Sequence, residues 1–111
     1  MSTSTNSHTH IFLVQPLGKN TYKEMIVYAD TEQQARSAAA LAVNPEKTPA
    51  STNEFSAETV YLDGGMSICI EIKPDIIKTE NNSEDVQVKY NEVIYDLKKS
   101  VAKEVIAENI L

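Results

Sequence analysis

A chain of 111 residues, 41% of them hydrophobic, fits one folded domain and lies well above the composition of disordered chains. A net charge of −6 argues against direct binding to nucleic acid or to an anionic membrane, both of which need a basic patch. The single cysteine, Cys69, rules out an intramolecular disulfide, and the longest apolar run, Ala38 to Val43, is far too short to cross a bilayer.

Residues 1–9 are Ser, Thr, Asn and His with nothing apolar after Met1. They cannot offset their own ordering entropy, so a disordered N-terminal tail is expected, followed by a single α+β domain over residues 10–111. The tail lacks the basic start and apolar stretch of a signal peptide, and a cytoplasmic protein is the expectation. His8 and His10 would share one face of a strand, but two ligands are too few for a metal site.

The first strand is expected from His10 to Leu17. Its run Ile11-Phe12-Leu13-Val14 is continuous rather than alternating, as suits a central strand buried on both faces or one buried on one face plus an edge of the core. Gly18-Lys19-Asn20 reads as a hairpin loop leading to a second strand from Thr21 to Ala29. That loop lacks both the first glycine of a phosphate-binding loop and the Ser or Thr after its lysine.

Asp30-Thr31-Glu32-Gln33-Gln34 carries a helix start. Thr31 with Gln34 fits a capping box, with Asp30 and Gln33 as the alternative register, and Glu32 suits the positive end of the helix dipole. The helix presents an alanine stripe for close approach to a sheet and ends before Asn44-Pro45. Residues 44–57 read as a long loop in which Phe55 either pins the chain to the core or serves as an exposed anchor for a partner.

A second hairpin is expected around Asp63-Gly64-Gly65-Met66, joining strands Thr59 to Leu62 and Ser67 to Ile72. In the latter, Ile68, Ile70 and Ile72 alternate with Ser67, Cys69 and Glu71. The isoleucines are the expected core face, packed against Ala35, Ala38 and Ala39 and the Leu97–Val101 stripe. Residues 74–82 read as a linker.

From Ser83 a long helix is expected. With Tyr90 at zero and about 100° per residue, Val86, Val93, Ile94, Leu97, Val101 and Val105 all fall within about 60° of it. The competing reading makes Val86 to Tyr90 a fifth strand and starts the helix near Asn91. The preferred order is ββαββα: a four-stranded, mostly antiparallel sheet with two helices packed on one face.

No catalytic, cofactor or metal motif is present. Cys69 lies in mid-strand with Glu71 on the same face, and a carboxylate makes a thiolate scarcer. The expectation is therefore a protein without enzymatic activity or cofactor. On the helical wheel Tyr95, Ala102 and Ile106 fall outside the core stripe as a second apolar strip. That strip and Phe55 are the candidate contacts of a small acidic protein-interaction module whose partner is another copy, as a homodimer, or a foreign protein. A sheet with open edges could also pair strand to strand.

The alternative is an acidic mimic of nucleic acid that inhibits a host nucleic-acid-handling complex, as phages and mobile elements carry. Its acidic face would be Glu54, Glu58, Asp63, Glu71, Asp75, Glu80, Glu84 and Asp85, a window that also holds Lys73 and Lys78 and carries the whole net charge.

Overall fold

A computed structural model describes residues 9–17, 22–43, 56–79 and 84–106. Residues 1–8 of the expected 1–9 tail, the expected Gly18-Lys19-Asn20 loop, most of the 44–57 loop, Phe55, Glu54 and Glu80 lie outside the described residues.

The described elements are β1 (Ile11–Pro16), β2 (Met25–Tyr28), α1 (Glu32–Ala42), α2 (Ala57–Leu62), β3 (Ser67–Ile72), β4 (Asp75–Thr79), β5 (Asp85–Tyr90), β6 (Val93–Lys98) and β7 (Lys103–Glu104). They form two antiparallel sheets, one of four strands in the order β3-β1-β2-β7 and one of three in the order β4-β5-β6. The chain is thus α+β with two helices, and both contact the four-stranded sheet. The single-sheet arrangement is corrected by the second sheet, which packs on the opposite face.

Three layers follow from the burial. On one face of the large sheet, Phe12, Val14, Met25 and Val27 pack with Ala35, Ala38 and Ala39 of α1 and Tyr61 of α2. On the other, Ile11, Leu13, Ile26 and Tyr28 pack with Val86 and Val88 of β5 and Tyr95 and Leu97 of β6. The continuous apolar runs of β1 and β2 are therefore buried on both faces, because each side of the sheet has its own cover.

α1 starts as the sequence indicates. The Thr31 hydroxyl accepts from Gln34 N–H at 3.1 Å, and Gln34 Oε1 accepts from Asp30 N–H at 3.0 Å. β2 begins at Met25, later than the expected Thr21.

Three elements correct the sequence reading. Thr59 to Leu62 is not a strand but part of α2. The Ser56 hydroxyl caps it by accepting from Thr59 N–H at 3.2 Å, and burial of Val60 and Tyr61 outweighs their strand preference. Residues 75–79 are a strand rather than a linker, with a bulge between Ile76 and Lys78. The long helix from Ser83 is instead the β5–β6 hairpin. Asn91 and Glu92 turn it with φ of 51° and 66°, the primed turn that two-residue hairpins favour. The competing reading of residues 86–90 as a strand matches β5, and the helix placed after it is absent.

The face of β3 is reversed. Ser67 and Cys69 look toward the helices and Ser67 is fully buried, whereas Ile68 and Ile70 are 41% and 43% exposed. The isoleucines do lie on the apolar side of the large sheet, opposite Gln15, Leu13 and Ile11 of β1. The three-stranded sheet covers that side only as far as Ile72, so Ile68 and Ile70 overhang it.

Candidate interaction surface

With the helix gone, the strip of Tyr95, Ala102 and Ile106 is gone as well. Tyr95 is 4% exposed in the core between the sheets, Ala102 is 8% exposed in the core under the helices, and Ile106 is 58% exposed. The Tyr95 hydroxyl accepts from Ile106 N–H at 3.0 Å, so its polar end holds the chain after β6 instead of meeting a partner.

The described acids do not share a layer either. Glu58 and Asp63 belong to α2 and the turn after it. Glu71 sits on β3, Asp75 begins β4, and Glu84 and Asp85 stand at the start of β5. Three of them are engaged locally, Asp63 by accepting from Gly65 N–H at 2.7 Å. His10 Nδ1 lies 2.6 Å from Glu71 Oε2, a hydrogen bond that keeps the Glu71 carboxyl below the ordinary range, and Lys98 Nζ lies 3.6 Å from Asp85.

Cys69 is a poor nucleophile. Burial pushes its thiol up to about 11; Glu32 adds to the shift and Arg36 opposes it. The carboxylate that matters is Glu32 on α1, not Glu71 on the same strand, a relation that sequence proximity does not reveal. Among the described residues, no group of three or more His, Cys, Asp or Glu side chains is placed to hold a metal ion. No described helix is long and apolar enough to cross a membrane.

Besides scattered exposed side chains such as Ile76, Ile77 and Ile94, two apolar surfaces stand out among the described residues. One is a groove between α1 and α2, where Leu41 is 84% exposed beside Val43, Glu58 and Leu62. The other is the edge strand β3.

The hydrogen-bonding direction of β3 can be worked out residue by residue. Leu17 N–H donates to Met66 O at 2.9 Å, and Ala29 N–H donates to His10 O at 3.1 Å. Bonded and non-bonded pairs alternate along an antiparallel ladder. Odd-numbered residues of β1 therefore bond to β3, and even-numbered ones to β2. On β3 it follows that Ile68, Ile70 and Ile72 point their backbone groups inward, to β1, while Ser67, Cys69 and Glu71 aim theirs outward.

At Ser67 these outward groups are used within the fold. Its N–H donates to Asp63 O at 3.1 Å, and its carbonyl accepts from Arg36 Nη2 at 3.3 Å. Cys69 and Glu71 present the rest of the edge.

Among the described residues, the four sheet edges differ in how they are guarded. β7 is only Lys103 and Glu104, both exposed. β4 is bulged and carries Asp75 and Lys78. β6 carries Asp96 and Lys98 and ends in a tight turn, where Val101 N–H donates to Lys98 O at 3.0 Å. Short length, charge and bulges all discourage edge-to-edge pairing. β3 has six residues in unbroken register with β1, no proline, no lysine and one charge, Glu71.

The chain matches no protein-family model, no curated protein and no solved structure.

Proposed function

We propose that this protein is a non-catalytic protein-interaction module that takes its partner by strand addition along β3. The observation behind this reading is the contrast among the edges: β7 is two residues long, β4 is bulged and charged and β6 carries two charges, whereas β3 runs six residues in unbroken register with Glu71 as its single charge. Backbone bonds from Cys69 and Glu71 would supply affinity, and Ile68 and Ile70 would supply apolar side-chain contacts, the usual division of labour in strand addition.

Glu71→Pro and Glu71→Gln test the reading together. Proline is accepted on an edge strand where the N–H faces outward, so Glu71→Pro removes one outward donor without removing a bond to β1. Glu71→Gln removes the charge and keeps the donor. Binding proteins that Glu71→Gln retains and Glu71→Pro loses are held by the β3 backbone. If the parent and both variants retain the same set, the edge is not the binding element.

A further inference from the structure

We infer that the strand received by β3 is β3 of a second copy of this chain, running antiparallel and centred on Ile70. The inference rests on the reading of β3 as a binding edge and adds the identity and register of the occupant.

Geometry restricts the choices. A two-fold axis perpendicular to a sheet keeps every side chain on its own face, so an isologous strand pair can only oppose residues of like parity. Bonded pairs must use outward-facing residues, which on β3 are Ser67, Cys69 and Glu71. Ser67 is engaged by Asp63 and Arg36. Two registers are left, and one of them opposes Glu71 to Glu71, like charge to like charge; the other sets Cys69 opposite Glu71 of the second copy, and Glu71 opposite Cys69. Each of these pairs exchanges both backbone bonds.

Side chains fit the same register. Ile70 then faces its own counterpart as a non-bonded pair, the kind in which side chains come closest. Ile68 faces Ile72 of the second copy. Of the two isoleucines that overhang the small sheet, Ile70 is thus covered by the Ile70 of the other copy and Ile68 by its Ile72, each contact being repeated across the two-fold axis as an isologous pairing requires. The single charge of the strand meets no like charge, because Glu71 opposes Cys69. The large sheets join into one continuous sheet, with both pairs of helices on one side and both small sheets on the other.

Engineered cysteines read the register directly. In a Cys69→Ser background, Ile70→Cys should cross-link to a disulfide dimer under mild oxidation, because opposed non-bonded positions bring Cβ atoms to about 4.5 Å. Ile68→Cys alone should not, whereas Ile68→Cys mixed with Ile72→Cys should. The parent, with Cys69 opposite Glu71, should stay uncross-linked. Sedimentation over about a hundredfold concentration range should show a monomer–dimer equilibrium. Glu71→Pro should weaken it by about tenfold or more, while Glu71→Gln leaves it unchanged.

The two readings fail differently. A parent that stays monomeric throughout, with no Ile70→Cys cross-link, overturns the second copy; partners lost by Glu71→Pro alone would still leave β3 as a binding edge. Cross-linking of Ile68→Cys alone overturns the register. Slow amide exchange at Cys69 and Glu71 that does not vary with protein concentration shows the edge covered by its own chain and overturns both. Circular dichroism of each variant confirms that it folds.

Discussion

The Arg36 guanidinium, on α1, donates to the Ser67 hydroxyl at 2.7 Å at the start of β3. It also donates to Tyr61 O at 3.1 Å, to Ser67 O at 3.3 Å and to Glu32 Oε2 at 3.0 Å, and its side chain is only 11% exposed. One planar fork of donors therefore ties α1 to the end of α2 and to the first residue of the edge strand. It also accounts for the buried polar atoms there: the Ser67 hydroxyl in turn lies 3.1 Å from Tyr61 O.

Arg36→Met should destabilise the protein by about 3 kcal/mol, because it takes the guanidinium donor from the Ser67 hydroxyl and carbonyl oxygens and leaves Tyr61 O with the Ser67 hydroxyl alone. Arg36→Lys should cost nearly as much, since a single ammonium cannot reproduce the fork. Urea unfolding midpoints measure both; a Lys variant equal to the parent would mean that charge alone suffices.

Ile26→Ala and Ile70→Ala should differ sharply. Ile26 is fully buried between the sheets, and its truncation should cost about 2–5 kcal/mol through lost burial and a cavity. Ile70 is 43% exposed, and for the monomer the loss should stay near or below about 1 kcal/mol. Denaturation at low protein concentration makes the comparison, because association would add to the apparent stability.

Glu92→Gly should stabilise the β5–β6 hairpin by about 0.5–1 kcal/mol. Glu92 holds φ of 66°, where a side chain is strained and glycine is not. The exposed Lys89–Glu92 contact at 3.6 Å, which the change removes, contributes little. A rise of a few degrees in melting temperature is the expected readout; a fall would show that the ion pair matters more than the turn.

Cys69 should be alkylated about tenfold or more slowly in the folded protein than in urea at about pH 8, because its raised pKa leaves little thiolate. The same shift fixes a sign for stability. Below about pH 9 the thiol is protonated in both states; between about 9 and 11 the unfolded chain releases the proton first, so stability falls as pH rises through that window. Cys69→Ser should flatten this part of the stability–pH curve. Equal alkylation rates in the two states would show that the thiol is not shielded.

Part of the fold was legible because the signal was local. The hydroxyl of Thr31 and the amide of Gln34 suffice to start α1, and the continuous run Ile11-Phe12-Leu13-Val14 suits a strand with both faces covered, which is how β1 is found. That run carried a consequence the sequence reading missed. A sheet whose central strands are apolar on both sides needs two covers, and two helices on one face supply one. The second cover had to come from residues 75–98, where the spacing of Val86, Tyr90, Val93 and Leu97 fits a helical stripe and an alternating hairpin alike.

The tertiary structure alone decided between those two readings, and it decided the candidate site with them. Val88 and Tyr95 lie off the helical stripe, but both reach the core once β5 and β6 alternate over the exposed side of Ile11, Leu13, Ile26 and Tyr28. Covering that apolar face gains more than the helix propensity of a polar-flanked segment can offer. The alternation of Ile68, Ile70 and Ile72 with Ser67, Cys69 and Glu71 was readable from the chain. Which side faces solvent was not, because that depends on how far the small sheet extends over the large one, and it stops at Ile72.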